Sequence, residues 1–149
     1  VSVAWEEPSA LGPVQCRGRM DHLWLDRGVI LDLKTTQSAS PRAIASHAYD
    51  YGYDVQHAAY CSALNALRGT DDARLVHVFV EFLPEGAKPR AIVQAAELDA
   101  DFRELGRRRW RRAVETWAAC MESGVWPAYA EAGTVVDVSA PRWAIVKEG

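Results

Sequence analysis

The chain has 149 residues, of which 49% are hydrophobic and 25% are charged, and its formal net charge at pH 7 is −3. That length is typical of one domain with its own core, and the composition excludes a disordered tail, a collagen-like repeat and a coiled coil. No apolar run approaches the roughly 20 residues of a membrane span, and the N-terminus lacks the pattern of a secretory signal. We therefore expect one globular domain, over residues 1–149, that does not associate with a membrane.

The first third of the chain has the pattern of three strands. Residues 1–6 and 14–25 alternate weakly between polar and apolar positions, and residues 7–13 between them are rich in proline and glycine. A short turn at residues 26–28 leads into Val29–Thr36, which is β-branched and apolar around two charges. Two strands joined by a short glycine-containing turn predict a hairpin.

Helical patterns follow. Serine and proline at positions 40–41 are typical of a helix N-cap and first turn, and predict a short helix over residues 43–51. Asp54 predicts the N-cap of a second helix over residues 55–67, and Gly69 predicts its end.

The second half of the chain predicts two strands and a long helix. Residues 75–83 give the strongest strand pattern, and residues 91–98 predict its antiparallel neighbour. A helix is predicted over residues 99–123, closed by Gly124, whereas residues 129–149 have no clear pattern. Apolar residues three and four apart predict the buried face of this helix: Phe102, Leu105, Trp110, Ala113, Val114, Trp117 and Met121. The order of elements predicts a mixed α/β domain with helices covering a central sheet.

The most informative charges lie in the third predicted strand. Asp32 and Lys34 are two residues apart and share one face of the strand, where charges are seldom buried without a partner or a metal. A hairpin places Asp21 alongside Asp32, and two carboxylates with the Leu33 carbonyl favour a hard cation such as Mg²⁺. A lysine beside them can activate water and stabilise developing negative charge. These groups suit phosphodiester hydrolysis.

A second pair lies downstream. Gln56 and Tyr60 are four residues apart on a predicted helix and share one face, where they can hold a phosphate or orient Lys34. Both pairs have an ordinary alternative. Asp32 and Lys34 could form a surface salt bridge, and Gln56 and Tyr60 could form a plain helix face with one buried aromatic ring.

Three segments in order carry a resemblance to a known family. They are Gly18-Arg19-Met20-Asp21, Asp32-Leu33-Lys34-Thr35-Thr36 and Tyr53-Asp54-Val55-Gln56-His57-Ala58-Ala59-Tyr60. Over residues 1–143 the chain resembles the PD-(D/E)xK nuclease superfamily, in particular its RecB-like branch with a QxxxY helix. Within that branch it is most similar to the exodeoxyribonuclease VIII (RecE-type) nuclease domain of phages and prophages.

The resemblance implies an α/β (α+β) domain with a restriction-endonuclease-like central mixed sheet flanked by helices. It implies that Asp21 and Asp32 are the metal-binding carboxylates, to which the Leu33 carbonyl would add the third oxygen considered above. It also implies that Lys34 is the catalytic lysine and that Gln56 and Tyr60 line the active site.

The implied activity is hydrolysis of DNA with Mg²⁺, or Mn²⁺ in its place, from the ends of a linear duplex. Such exonucleases supply single strands to a partner annealing protein in phages, and some of them form rings, so a homo-oligomer is open. The alternative is a catalytically silent DNA-binding or assembly module that keeps the fold.

The chain also departs from the family pattern. Met20 stands where the superfamily has a proline, and we expect the chain to lack the family's upstream helical segment, which carries a histidine and a glutamate near the metal. Cys16, Cys61 and Cys120 are far apart without a CxxC pair, so we expect no iron–sulfur cluster and no disulfide framework. This cysteine usage favours a reducing compartment, and the resemblance implies the cytoplasm of a bacterial or phage-infected cell.

The densest run of charge lies on the long predicted helix. Arg107 and Arg111 share one face, and Arg108 pairs with Arg112. One interpretation is a stripe that binds DNA phosphates, and the other is a solvated face opposite the buried one.

Other polar residues give weaker signals. His47, His57 and His77 have no ligand spacing. Glu81 lies in an apolar strand, and we interpret it as structural rather than as a metal ligand.

Overall fold

The computed structural model describes residues 1–131 and 133–148, in which the chain forms six strands and four helices. In chain order they are β1 (Ser2–Glu7), β2 (Val14–Arg19), β3 (His22–Trp24), β4 (Val29–Thr36), α1 (Pro41–Asp50), α2 (Tyr53–Arg68), β5 (Arg74–Phe82), β6 (Ala91–Ala96), α3 (Ala100–Ser123) and α4 (Arg142–Glu148). In these residues, no helix combines the length and the apolar composition that crossing a bilayer requires.

The strands form two sheets. β1 and β2 pair antiparallel, and the larger sheet has the order β3-β4-β5-β6. β4 and β5 run parallel, and their two outer neighbours pair antiparallel. Because parallel strands need a crossover, α1 and α2 connect β4 to β5 across one face of the sheet. The mixed sheet with helices packed on it confirms the predicted fold class.

The predicted β3–β4 hairpin is also confirmed, with His22 opposite Leu31. The single strand predicted over residues 14–25 is wrong, since β2 and β3 belong to different sheets. Met20 lies between them, fully buried, and its N–H donates to the Val1 carbonyl oxygen at 2.8 Å. Polar and apolar residues alternate on both sides of Met20, so the sequence pattern does not show that the strand is interrupted there. The interruption is visible only in the structure, where Met20 is buried in the core.

The helix ends follow local signals with one exception. Ser40 caps α1 by accepting the Ala43 N–H at 3.4 Å, and α2 ends at Gly69, which has a left-handed φ of 65°. Asp54 is not an N-cap as predicted, because α2 begins at Tyr53 after Gly52. Asp54 instead lies inside the helix, fully buried, where an arginine of α3 binds its carboxylate.

The main core lies between the two sheets and α2, and its largest fully buried apolar side chains are Met20, Ile30, Leu64 and Leu75. A second, smaller cluster packs Phe79 of β5 against Ile44 of α1 and Ala39. On the opposite face of the larger sheet, Leu33, Phe82 and Val93 are exposed. The helices therefore lie on the face of β4 that carries Ile30, Asp32 and Lys34.

The buried face of α3 agrees with the prediction only in part, since Val114 is buried and Trp110 packs against the core. Its buried residues are Gly106, Val114, Ala118 and Cys120, whereas Ala113, Trp117 and Met121 are exposed. A Cβ at Gly106 would lie 2.0 Å from the Asp54 carbonyl oxygen. At Gly106, α3 therefore approaches α2 so closely that no side chain fits between the two helices.

Candidate active site

Asp32 is the centre of a buried polar cluster on β4, and only 4% of it is exposed. Its Oδ2 lies 2.8 Å from Lys34 Nζ and 3.0 Å from His77 Nδ1. Its Oδ1 accepts a hydrogen bond from Gln56 Nε2 at 2.8 Å. Side chains of β4, β5 and α2 therefore converge on one carboxylate.

These neighbours hold Asp32 in its charged form. Burial by itself raises the pKa of Asp32, but the hydrogen bonds and positive charges of His77 and Lys34 outweigh that effect, and the pKa lies below its ordinary value. An ionised carboxylate at neutral pH is the form that binds a cation or attracts a lysine.

Asp21 reaches the same edge of β4. Its Oδ2 accepts the Leu33 N–H at 2.9 Å, and the antiparallel register of β3 and β4 continues to place Asp21 across from Asp32. The N–H and C=O of one residue in an extended strand point to the same side, so the Leu33 carbonyl is directed toward this edge as well. The structure thus brings Asp21, Asp32, Leu33, Lys34 and Gln56 together, although they are spread over 36 positions of sequence.

Tyr60 takes a different position from Gln56. Its hydroxyl donates to the Arg19 carbonyl oxygen at 2.8 Å, and a Cβ at Gly18 would meet its ring at 3.0 Å. Tyr60 therefore fixes the end of β2, two residues before Asp21.

Two residues of the cluster escaped the sequence analysis. Tyr53, at the start of α2, places its ring 4.6 Å from Lys34 Nζ, within cation–π distance. His77 is 1% exposed and pairs with Asp32 in the parallel register of β4 and β5. Its position between Leu75 and Phe79 in the alternation of β5 indicates that His77 is buried. Only the pairing of β5 with β4 shows that its neighbour is Asp32.

A second nitrogen of His77 is also notable. Nε2 is buried and has no hydrogen-bond partner within the described residues. Because the ionised Asp32 carboxylate can only accept, the contact at 3.0 Å requires a proton on Nδ1, and the histidine acts on Asp32 as a donor through this nitrogen.

The donor set fits a hard divalent cation. Mg²⁺ is commonly held by one or two carboxylates together with waters and substrate oxygens, and Asp21, Asp32 and the Leu33 carbonyl provide such oxygens at one edge. Among residues 1–131 and 133–148, no group of three or more His, Cys, Asp or Glu side chains could hold a metal. A cation bound at Asp21 and Asp32 would therefore also need oxygens from the main chain, from water and from the substrate.

Glu81 has the structural role that we expected. Its Oε2 accepts the Ala39 N–H at 2.8 Å, and this bond fixes the connection between β4 and α1.

The arginines of α3 border a groove of about 830 Å³ between α2 and α3. Arg107 binds Glu104 at 2.7 Å and Arg111 donates to the Pro8 carbonyl oxygen at 3.3 Å. Arg108 and Arg112 are exposed beside them. A phosphate-binding stripe and a solvated face are both compatible with these contacts.

The mixed sheet, its helical crossover and the D-x-K strand at its centre define a PD-(D/E)xK-like domain. A family model described as "PDDEXK-like domain of unknown function (DUF3799)" matches residues 5–138. The chain belongs to this family.

The fold is similar to that of a solved protein from Eubacterium rectale described as "Putative exonuclease". The TM-score is 0.61 and the sequence identity is 14%. The alignment covers 97% of this chain and 55% of that chain, so the present chain spans about half the length of its structural neighbour. No curated protein matches the chain.

Proposed function

We propose that the chain is a metal-dependent deoxyribonuclease that hydrolyses phosphodiester bonds from the ends of linear duplex DNA. The observation that carries the proposal is the cluster on β4: a buried, ionised Asp32 bound by Lys34, with Asp21 at the same strand edge. Membership of the PDDEXK-like family supports a nuclease.

Each residue of the cluster has a separate task. Asp21, Asp32 and the Leu33 carbonyl would hold Mg²⁺ or Mn²⁺, which supplies Lewis acidity toward a phosphate oxygen when bound. Lys34 stabilises negative charge on the phosphoryl oxygens and positions the attacking water. Gln56 holds the Asp32 carboxylate through Oδ1, which leaves Oδ2 to the lysine and His77. Tyr60 fixes the strand end that precedes Asp21.

The partner of this site is DNA. Arg107, Arg108, Arg111 and Arg112 offer a row of positive charge on α3, and arginines neutralise backbone phosphates in a salt-dependent way. By its resemblance to RecE-type domains, we propose that the product strand passes to a single-strand annealing protein in phage-type recombination, and that the active form can be a homo-oligomer.

The test is cleavage of end-labelled linear duplex DNA with Mg²⁺, beside a closed circular duplex. We expect loss of the end label from the linear DNA only, with Asp32→Asn and Lys34→Ala reducing the rate by at least about 100-fold, as for loss of one transition-state donor. Asp101→Asn and Lys147→Ala change exposed residues of the same types on α3 and α4, and they should cleave normally. Equal rates for Asp32→Asn and Asp101→Asn would overturn the proposal.

One observation favours a second candidate, a DNA-binding or assembly module without catalysis. The described residues contain no cluster of three metal-ligating side chains. DNA binding that is unchanged by Asp32→Asn, together with no cleavage under any divalent metal, would support this candidate.

A further inference from the structure

A pocket of about 480 Å³ opens at the end of β4, immediately beyond the proposed catalytic lysine. It is lined by Thr35, Thr36, Gln37, His47, Tyr51 and Tyr53. Tyr53 is the wall shared with the catalytic cluster, because its ring lies 4.6 Å from Lys34 Nζ. Ligands of open α/β sheets bind in the crevice beyond the carboxyl ends of parallel strands, and this pocket lies at that end of β4.

The aromatic side chains of the pocket form a continuous series that leads away from Lys34. The Tyr53 ring lies 6.0 Å from the Tyr51 ring, which in turn lies 5.6 Å from the His47 ring, centroid to centroid. Tyr51 is 68% exposed, so much of a large ring is accessible to a ligand.

Hydrogen bonds fix the backbone that carries this exposed ring. The Tyr51 N–H donates to the His47 carbonyl oxygen at 2.9 Å and closes the last turn of α1. Gly52, with a φ of 68°, then starts α2 directly. His47 Nδ1 lies 3.3 Å from Thr36 Oγ1, which links the ring to β4. The backbone of Tyr51 and the neighbouring His47 ring are therefore held before any ligand arrives, which reduces the entropy lost on binding.

We propose that this pocket binds an unpaired nucleobase, that of the nucleotide adjacent to the bond cleaved at Lys34, and that the base stacks on Tyr51. The inference rests on the proposed function and adds a subsite to it. The lining residues include no lysine or arginine, so the pocket suits an uncharged aromatic ring rather than a phosphate. Hydroxyl, amide and imidazole groups around the ring offer hydrogen bonds to base edges.

The consequence is that the last bases of a duplex separate before cleavage. A base inside a duplex already stacks on both neighbours and cannot offer a free face to Tyr51. Stacking on an aromatic side chain tolerates all four bases, so the subsite gives positioning with little sequence preference.

Tyr49 provides a matched control for Tyr51. It is also an exposed tyrosine, 59% accessible, but its ring lies 5.6 Å from the Arg109 guanidinium carbon and it does not line the pocket. Tyr51→Ala and Tyr49→Ala thus remove the same side chain from two neighbouring surface positions. Tyr51→Phe keeps the stacking ring and removes only the hydroxyl.

The test is fluorescence anisotropy of a labelled single-stranded DNA in EDTA, where binding is read without cleavage. We expect Tyr51→Ala to raise Kd about 10-fold, the size of one base–aromatic stack, with Tyr51→Phe and Tyr49→Ala within about twofold of the parent chain. An oligonucleotide with abasic nucleotides at every position should bind the parent chain and Tyr51→Ala equally. Circular dichroism confirms that each variant is folded.

The outcomes separate the subsite from the nuclease. Equal losses for Tyr51→Ala and Tyr49→Ala, or the same loss with the abasic oligonucleotide, would overturn the subsite even if the chain cleaves DNA. Tyr51-dependent binding by a chain that cleaves nothing would support the subsite and contradict the nuclease. Failure of the folded parent chain to bind any single strand would overturn the subsite.

Discussion

At the residue scale, the chemistry depends on how Asp32 is held. An isolated carboxylate on the covered face of a sheet would be driven toward its neutral form by burial. Here a lysine, a histidine and an amide donate to it, and its pKa is lowered instead. The contacts that stabilise the charge also fix the direction of both carboxylate oxygens, which a metal ligand requires.

His77 is predicted to be a positioning residue for Asp32. His77→Phe removes the donor to Oδ2 while keeping an aromatic ring in a site that is 1% exposed. We expect it to reduce the rate of cleavage, or the affinity for the metal, by about 10- to 100-fold, as loss of a group that orients a ligand does. The Mn²⁺ concentration for half-maximal activity is the measurement.

The conservative variant His77→Asn tests whether donation or packing matters. Its amide nitrogen can occupy the place of Nδ1, so it should recover most of the lost metal affinity. If His77→Asn and His77→Phe are equally impaired, the histidine serves packing alone.

At the element scale, the contact between α2 and α3 presents the functional face of α2. Because Gly106 has no side chain, the backbone of α3 lies directly against the backbone of α2 at Asp54. Arg109 Nη1 then donates to both oxygens of the Asp54 carboxylate, at 2.9 and 3.0 Å. Because Asp54 lies two residues before Gln56, this contact fixes the first turn of the helix whose amide holds Asp32.

Arg109→Ala should therefore destabilise the fold. The substitution leaves the fully buried Asp54 without its cation. We expect the free energy of unfolding to fall by about 2 kcal/mol. This is less than the loss measured when a wholly buried ion pair is broken, because Arg109 is partly exposed. Urea denaturation provides the measurement. Arg108→Ala, at the neighbouring exposed position, should change stability by less than about 0.5 kcal/mol. Equal effects of the two would mean that the buried pair is not stabilising.

At the scale of the whole molecule, acid stability should depend on His57. This residue is 9% exposed between α2 and α3, and burial lowers its pKa from 6.5 to about 4, with help from the charge of His77. The unfolded chain therefore binds more protons than the native one between these two values, so stability rises with pH across that window and falls as the pH drops toward 4. The full shift corresponds to about 3 kcal/mol.

The measurement is the free energy of unfolding in urea at several pH values from 4 to 7. His57→Gln carries no titrating ring and should show a flatter dependence over the same range. Parallel curves for the variant and the parent chain would contradict the depressed pKa.

Metal binding should also be visible as global stabilisation. A ligand that binds only the native state raises the free energy of unfolding by RT ln(1 + [L]/Kd), so Mg²⁺ at ten times its Kd should raise Tm by about 3–5 °C for a domain of this size. The measurement is a thermal melt with and without Mg²⁺ or Mn²⁺. We expect the increment to vanish in Asp32→Asn and to persist in Asp101→Asn, and an increment that survives Asp32→Asn would place the cation elsewhere.

Local signals in the sequence determined most of the elements. Strand alternation, the Ser40 cap and the terminating Gly69 act within a few residues, and the structure contains the elements that they predict. The spacing of Asp32 and Lys34 likewise places both side chains on one face of β4, where they form an ion pair at 2.8 Å. Such features depend on neighbours within one turn or one pleat.

The tertiary structure alone decided which distant residues meet. The parallel register of β4 and β5 brings His77 to Asp32 across 45 positions of sequence. The packing of α3 buries Gly106 and leaves Trp117 exposed, where periodicity predicted burial. No local pattern encodes these pairings, because they follow from how whole elements pack. The sequence therefore determined the chemical groups and the strand face that Asp32 and Lys34 share, and packing decided which face of α3 is buried and which distant residues become partners.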